Sequence, residues 1–264
     1  MLIFLKLGGS LITDKTRPFC PRPEKIADLC MQIASALRQQ PEMQLVIGHG
    51  SGSFGHEAAR RYGTRSGVSG QEAWCGFAEV WYQAAALNRI VVEALHTAGL
   101  PALGLSPSAA VISQDGKAIR WDTYPLQSAL ANGLLPVIHG DVSFDIRRGG
   151  TILSTEDLFV YLAHALPPRR ILLAGLEMGV WEDFPGRTKL LEQITPGTLP
   201  LQVPTFGGTA GTDVTGGMRS KMTEMLELVE EIPDLEAQIF SGEEPQTVQR
   251  ALLGGRPGTC LHRA

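Results

Sequence analysis

The sequence predicts an α/β fold built on a mainly parallel sheet, and three observations carry that reading. Short apolar runs at residues 2–7, 43–47, 134–138 and 170–174 each stop at a glycine-bearing turn. Long stretches with apolar residues at helical spacing, notably 21–40 and 70–98, fall between those runs. The turns after the apolar runs carry lysine, histidine and aspartate, and parallel sheets place functional groups at the carboxyl ends of their strands.

Residues 2–7 read as a first strand entering Gly8-Gly9-Ser10, with Lys6 near its end and Lys15 shortly after. A lysine beside a glycine turn can meet a phosphate that the backbone approaches, although either lysine alone also fits a solvated surface. Pro21 to Gln40 reads as an amphipathic helix burying Ile26, Leu29, Cys30, Ile33 and Leu37. The run Met43–Ile47 leads into Gly48-His49-Gly50-Ser51-Gly52-Ser53-Phe54-Gly55-His56, with a helix expected from about Glu57. Glycines at 50, 52 and 55 let the backbone turn and aim N–H groups at an anion. His56 adds a side chain able to hold phosphate. Two other readings stay open: a tight turn with bonded histidines, and a dinucleotide fingerprint at Gly50, Gly52 and Gly55. The fingerprint wants an acidic residue about 20 positions on, and Glu72 lies instead within the helical pattern 70–98.

A strand at 101–105, a Ser-Pro loop and a helix near 122–132 come next. The strand 134–138 ends in His139-Gly140-Asp141, where Asp141 is either a functional carboxylate or an Asx turn. Residues 142–153 read as a hairpin, and Ser154 caps a helix from Thr155 to Ala165. Pro167-Pro168 marks the expected lobe boundary, giving 1–168 and 169–264 within one continuous domain. Beyond the strand 170–174 lies a loop containing Glu177, then a Gly/Thr-rich stretch, Gly207 to Thr215. Gly216-Gly217 opens a helix with Lys221 four residues on from Gly217, a second anion site. A strand at 236–240, a helix at 245–253 and a short strand near 259–262 complete the chain.

Composition narrows the function. A net charge of -4 and the absence of a basic stripe argue against nucleic acid as partner. Cys20, Cys30, Cys75 and Cys260 show neither C-x-x-C spacing nor a dense framework, so no metal site is expected. Met1–Leu5 is too short for a signal core, and no run reaches the roughly 18 apolar residues of a membrane span. A cytoplasmic protein is expected.

Four pieces together resemble the amino acid kinase superfamily across nearly the whole chain: Lys6–Ser10, His49–His56, His139–Asp141, and Asp213–Met218 with Lys221. The loop ending in Gly-Ser-Phe-Gly-His is similar to that of the isopentenyl phosphate kinases. The resemblance implies an open αβα sandwich, a homodimer, ATP and Mg²⁺ as cofactors, and phosphorylation of isopentenyl phosphate. It also implies roles. Lys6 meets the transferring phosphoryl group, and Gly8, Gly9, Ser10, Lys15, Gly217 and Lys221 serve the nucleotide. His56 holds the acceptor phosphate with the amides of Ser51 and Gly52, and Asp141 orients the lysines. Three departures stand out: Ser51 replaces a glycine, Ser154-Thr155-Glu156-Asp157 replaces Ser-Gly-Asp-Asp/Glu, and Gly175–Trp181 lacks both aspartates of the nucleotide loop. Thr155 then stands where the resemblance implies a substrate contact, and Glu177 stands in for a lost aspartate on the nucleotide side. A kinase of another small phosphate or phosphonate of the fosfomycin type, and a non-catalytic nucleotide-binding protein, are the competing readings.

Overall fold

The computed structural model describes residues 1–198 and 217–263. The expectations placed on Gly207–Gly216 lie outside those residues. Strand β1 (Leu2–Leu7) is buried from Ile3 onward, as suits a strand covered on both faces. The short helix α1 (Gly9–Ile12) follows, then α2 (Pro23–Gln39), β2 (Gln44–His49), α3 (Gly52–Tyr62), α4 (Gly70–Thr97) and β3 (Ala102–Gly104). The middle of the chain forms β4 (Val111–Gln114), β5 (Lys117–Trp121), α5 (Tyr124–Ala131), β6 (Leu135–His139), β7 (Asp141–Asp145), β8 (Gly149–Leu153) and α6 (Thr155–Ala165). The remainder gives β9 (Arg170–Gly175), β10 (Val180–Trp181), β11 (Leu190–Leu191), β12 (Gln193–Ile194), α7 (Gly217–Glu231), β13 (Glu236–Ser241), α8 (Thr247–Leu252) and β14 (Thr259–Leu261).

Eight strands form one sheet in the order β12-β14-β13-β9-β1-β2-β6-β3. All of its pairings are parallel except that between β13 and β14. A second sheet, β5-β4-β7-β8, stands beside it, and β10 pairs with β11. The main sheet runs unbroken through the boundary at residue 168, because β9 pairs directly with β1.

Strand alternation divides the core. Ile3, Leu5 and Leu7 face one layer with Ile26, Leu29 and Ile33 of α2 and Leu87, Val91 and Leu95 of α4. Phe4 faces the other with Phe159 of α6 and Met222, Met225 and Val229 of α7. A period of two then places Lys6 on the face of Phe4, beneath α6. Among the described residues no helix is long and apolar enough to cross a membrane.

Two local readings change. The helix expected near Glu57 begins at Gly52, so His56 lies inside α3 rather than in the loop before it. The region after the Ser-Pro loop holds an unanticipated hairpin, β4–β5, turned at Asp115-Gly116. Both of those residues have positive φ, 52° and 81°. That Asp-Gly pair between alternating residues is the usual signature of a two-residue hairpin turn.

Candidate active site

The order of strands reverses direction at β1, with β2 on one side and β9 on the other, and ligands bind parallel sheets at such a point. The carboxyl ends of β1, β2, β6 and β9 lead there into Gly8, Gly50, Gly140 and Gly175, which line one cleft of about 1380 Å³. The two glycine turns touch through their backbones. A Cβ on Gly9 would lie 2.5 Å from the amide nitrogen of Gly52. Gly52 has φ +51° and is packed against Thr13, where a Cβ would fall 2.2 Å from Oγ1. A side chain at either position would drive the turns apart.

Helix α3 begins with its amides divided by use. Ser53 N–H donates to Thr13 Oγ1 at 2.9 Å. Phe54 and Gly55 N–H donate to the Ser51 carbonyl at 3.0 and 3.4 Å. Among the described residues, the N–H groups of Ser51 and Gly52 have no such partner, and both residues line the cleft. His56, one turn on, lines it too. Free amides, a helix N-terminus and an imidazole together are able to seat an anion.

Lys6, 7% exposed, projects into the cleft floor and forms an ion pair with Glu156. The register explains the pair. Phe4 and Lys6 are two apart on β1, while Phe159 and Glu156 are three apart on α6. The Phe4 and Phe159 rings pack 5.1 Å apart, so the ion pair forms next to them. Lys221 Nζ lies 3.9 Å from the other oxygen of Glu156. Burial pushes the Glu156 carboxyl up, and Lys6 and Lys221 more than offset it, holding the group below its usual range. Glu156 is free for this because the neighbouring Asp157 does the capping: Ser154 and Asp157 form a reciprocal capping box.

Lys15 lines the same cleft from a loop fixed by Asp14, whose carboxylate accepts from Thr16 N and Oγ1 and from Arg17 Nε. Bonds from Thr16 and Arg17 lower the Asp14 pKa to about 2. Gly8, Gly9 and Ser10 line the cleft beside Lys6, and Gly217 opens α7, which carries Lys221. On the far wall, Glu177 accepts from Trp181 Nε1 at 3.1 Å and from Arg187 at 2.7 Å. Glu177 thus braces an aromatic wall.

Two expected site residues bond within the protein. Asp141, expected to orient the lysines, is fully buried and accepts from its own neighbour Val142 N and from Ser108 N. Glu156 takes the place beside the lysines because it projects from α6 directly over β1. Burial raises the Asp141 pKa to about 6. Thr155 lines the cleft and donates its hydroxyl to the His49 carbonyl at 2.7 Å, a bond that secures the loop. Sequence reasoning passed over Glu156, Thr13 and Trp181. The signal for Glu156 was present: two carboxylates follow Ser154, and a capping box needs only the second.

A lysine-lined cleft between two glycine turns, at the switch point of a parallel sheet, defines a phosphoryl-transfer enzyme. The chain belongs to the amino acid kinase family, whose family model matches residues 1–241. Within it, the chain is 31% identical to isopentenyl phosphate kinase from Methanocaldococcus jannaschii, over 98% of both chains. It is 34% identical to isopentenyl phosphate kinase from Methanothermobacter thermautotrophicus, over 96% of each. A solved structure of isopentenyl phosphate kinase superposes with a TM-score of 0.82 at 30% identity, covering 98% of this chain and 100% of that one.

Proposed function

We propose that this protein transfers the γ-phosphoryl group of ATP to isopentenyl phosphate, giving isopentenyl diphosphate and ADP. The observation that carries the reading is the gathering of His56 and the free Ser51 and Gly52 amides into one cleft with Lys6, Lys15 and Lys221. His56 and the two amides hold the acceptor phosphate. Lys6 meets the transferring group between the glycine turns, and Lys15 and Lys221 draw charge away from the nucleotide side. An acceptor phosphate monoester is already anionic at neutral pH, so the site needs charge cancellation and alignment rather than a base. Glu156 keeps Lys6 and Lys221 aimed at the gap. Ile152 lines the cleft and packs on a cluster containing Phe77, Val80 and Val142, a wholly apolar backing that suits a hydrocarbon tail better than a polar phosphonate.

On this reading the acceptor belongs to residues 1–168 and the nucleotide to 169–264, with Trp181 walling the nucleotide side. Among the described residues there is no cluster of three or more His, Cys, Asp or Glu suited to a metal. Mg²⁺ would be held through the nucleotide phosphates and supply further charge neutralisation. We place the protein in the cytoplasm. It would act as a homodimer, and sedimentation of a lone chain would remove that last point.

The test is an ADP-release assay with Mg-ATP and a panel of isopentenyl phosphate, dimethylallyl phosphate, fosfomycin, UMP and glutamate. Turnover on isopentenyl phosphate with kcat/KM of roughly 10⁴ M⁻¹s⁻¹ or more is expected. Turnover on fosfomycin alone would move the assignment to the antibiotic kinases, and silence on every acceptor would overturn it.

A further inference from the structure

His49 closes β2 and is fully buried behind the anion seat. Its ring nitrogens both meet polar partners: Nδ1 lies 3.1 Å from the Gly50 carbonyl, and Nε2 lies 3.1 Å from Oδ1 of Asn88 on α4, whose amide oxygen and nitrogen are interchangeable by a half-turn. Its own carbonyl accepts from Thr155 Oγ1 and from Gly140 N at 3.0 Å. The ring stacks on His139 with centroids 5.5 Å apart. The titratable groups that face it are Lys6 on β1 and His139 on β6, with Asp141 beyond, 3.7 Å from His139 Nε2. From α4 and α6 it meets Asn88 and Thr155, which carry no charge. Burial, then the neighbouring His139, lower the His49 pKa to about 4, so the ring is neutral at neutral pH.

A neutral imidazole has one N–H and one acceptor nitrogen. The Gly50 carbonyl can only accept, so that contact is a hydrogen bond only when the proton is on Nδ1. Nε2 must then accept, which turns the Asn88 amide to present an N–H. We infer that Asn88 is a positioning residue for phosphoryl transfer: it fixes His49 as the Nδ1–H tautomer, and His49 in turn holds the Gly50 carbonyl so that the Ser51 and Gly52 amides point into the cleft. Asn88 touches no substrate. It lies on the helix that also carries Phe77 and Val80 of the apolar cluster, so one helix sets both the tail wall and the aim of the phosphate loop.

The inference rests on the reading of the Ser51–Gly52 loop as the acceptor seat, and two measurements keep the two apart. The first needs no turnover. Nitrogen-15 histidine spectra of the whole protein from pH 6 to 8 should contain an Nδ1–H imidazole that does not titrate and that shifts in Asn88→Leu. An Nε2–H form at His49 would overturn the tautomer whatever the enzyme's substrate. The second is kinetic. Asn88→Leu should raise the acceptor KM roughly ten- to a hundredfold, the scale of one buried group left unsatisfied, with the ATP KM within about twofold.

Asn88→Asp should behave differently from the leucine variant. Its carboxylate accepts only, so both contacts survive only when His49 is doubly protonated. The acceptor KM of that variant should therefore improve as pH falls, a dependence that Asn88→Leu lacks. Equal rises in both KM values, or identical pH profiles for the two variants, would show that Asn88 merely packs.

Discussion

Lys6 and His56 line the same cleft, and their removal should have different kinetic signatures. Lys6→Ala should abolish turnover while leaving the protein folded by circular dichroism, because in the proposed reaction the lysine meets charge that develops during transfer. Near-normal kcat in that variant would take Lys6 out of the mechanism. His56→Ala should mainly raise the acceptor KM, with a smaller fall in kcat, as loss of a ground-state contact does. Unchanged kinetics with isopentenyl phosphate would remove the clamp. Residue identity was legible here and partnership was not. Lys6, Lys15, His56 and Lys221 were all picked out from their turns, and all four line the cleft. The carboxylate facing Lys6 was assigned to Asp141, because proximity across a helix–sheet packing leaves no trace in chain order. Only the matched spacing of Phe4/Lys6 on β1 and Glu156/Phe159 on α6 reveals that pair.

At the scale of elements, glycine turns do more than bend the chain. Gly52→Ala would force a Cβ into Thr13 and a side chain into positive φ, costing on the order of 1–3 kcal/mol of backbone strain before the clash is counted. The expected outcome is a variant with a lowered melting temperature and at least about a tenfold loss in acceptor affinity. A variant with wild-type melting and KM would show that the turns need not touch. The strands at glycine turns were readable because an apolar run ending in glycine is a strong local pattern. The β4–β5 hairpin was not read, since its β5 strand is largely exposed and lacks a clean alternation. The start of α3 was misplaced because glycines that normally break helices here supply its first turn.

For the whole molecule, the buried ionisable groups set a pH window. His49 and His139 are held at about 4 against an ordinary 6.5, chiefly by burial. A folded chain that refuses protons which the unfolded chain accepts is fully stabilised above pH 6.5 and loses that stability as pH falls toward 4. Each histidine contributes on the order of 3 kcal/mol. Asp141, raised to about 6 from 3.8, has the opposite sign: its contribution is present below 3.8 and lost as pH rises through 6. Two histidines outweigh one aspartate between pH 4 and 6, leaving a net slope of roughly 1.4 kcal/mol per pH step. Thermal melting should therefore fall steadily from pH 7 to 4.5, and His139→Leu should flatten the curve. A melting temperature level across that range would mean that the two buried histidines together do not outweigh Asp141.

The parallel sheet itself was legible, because buried strands repeat as short apolar runs. The order of strands within it came only from the structure, since a crossover can place β9 against β1 across more than 160 positions of chain.

The contact between Gly9 and Gly52 has a consequence for how such a protein can diverge. The gap between the two glycine turns is set by main chain against main chain, with Thr13 Oγ1 tying the Gly9 carbonyl to the Ser53 amide. Positions around it are therefore free to drift. Serine can occupy 51 and tryptophan 181, retuning which molecules enter, while the distance across which a phosphoryl group must travel is inherited unchanged.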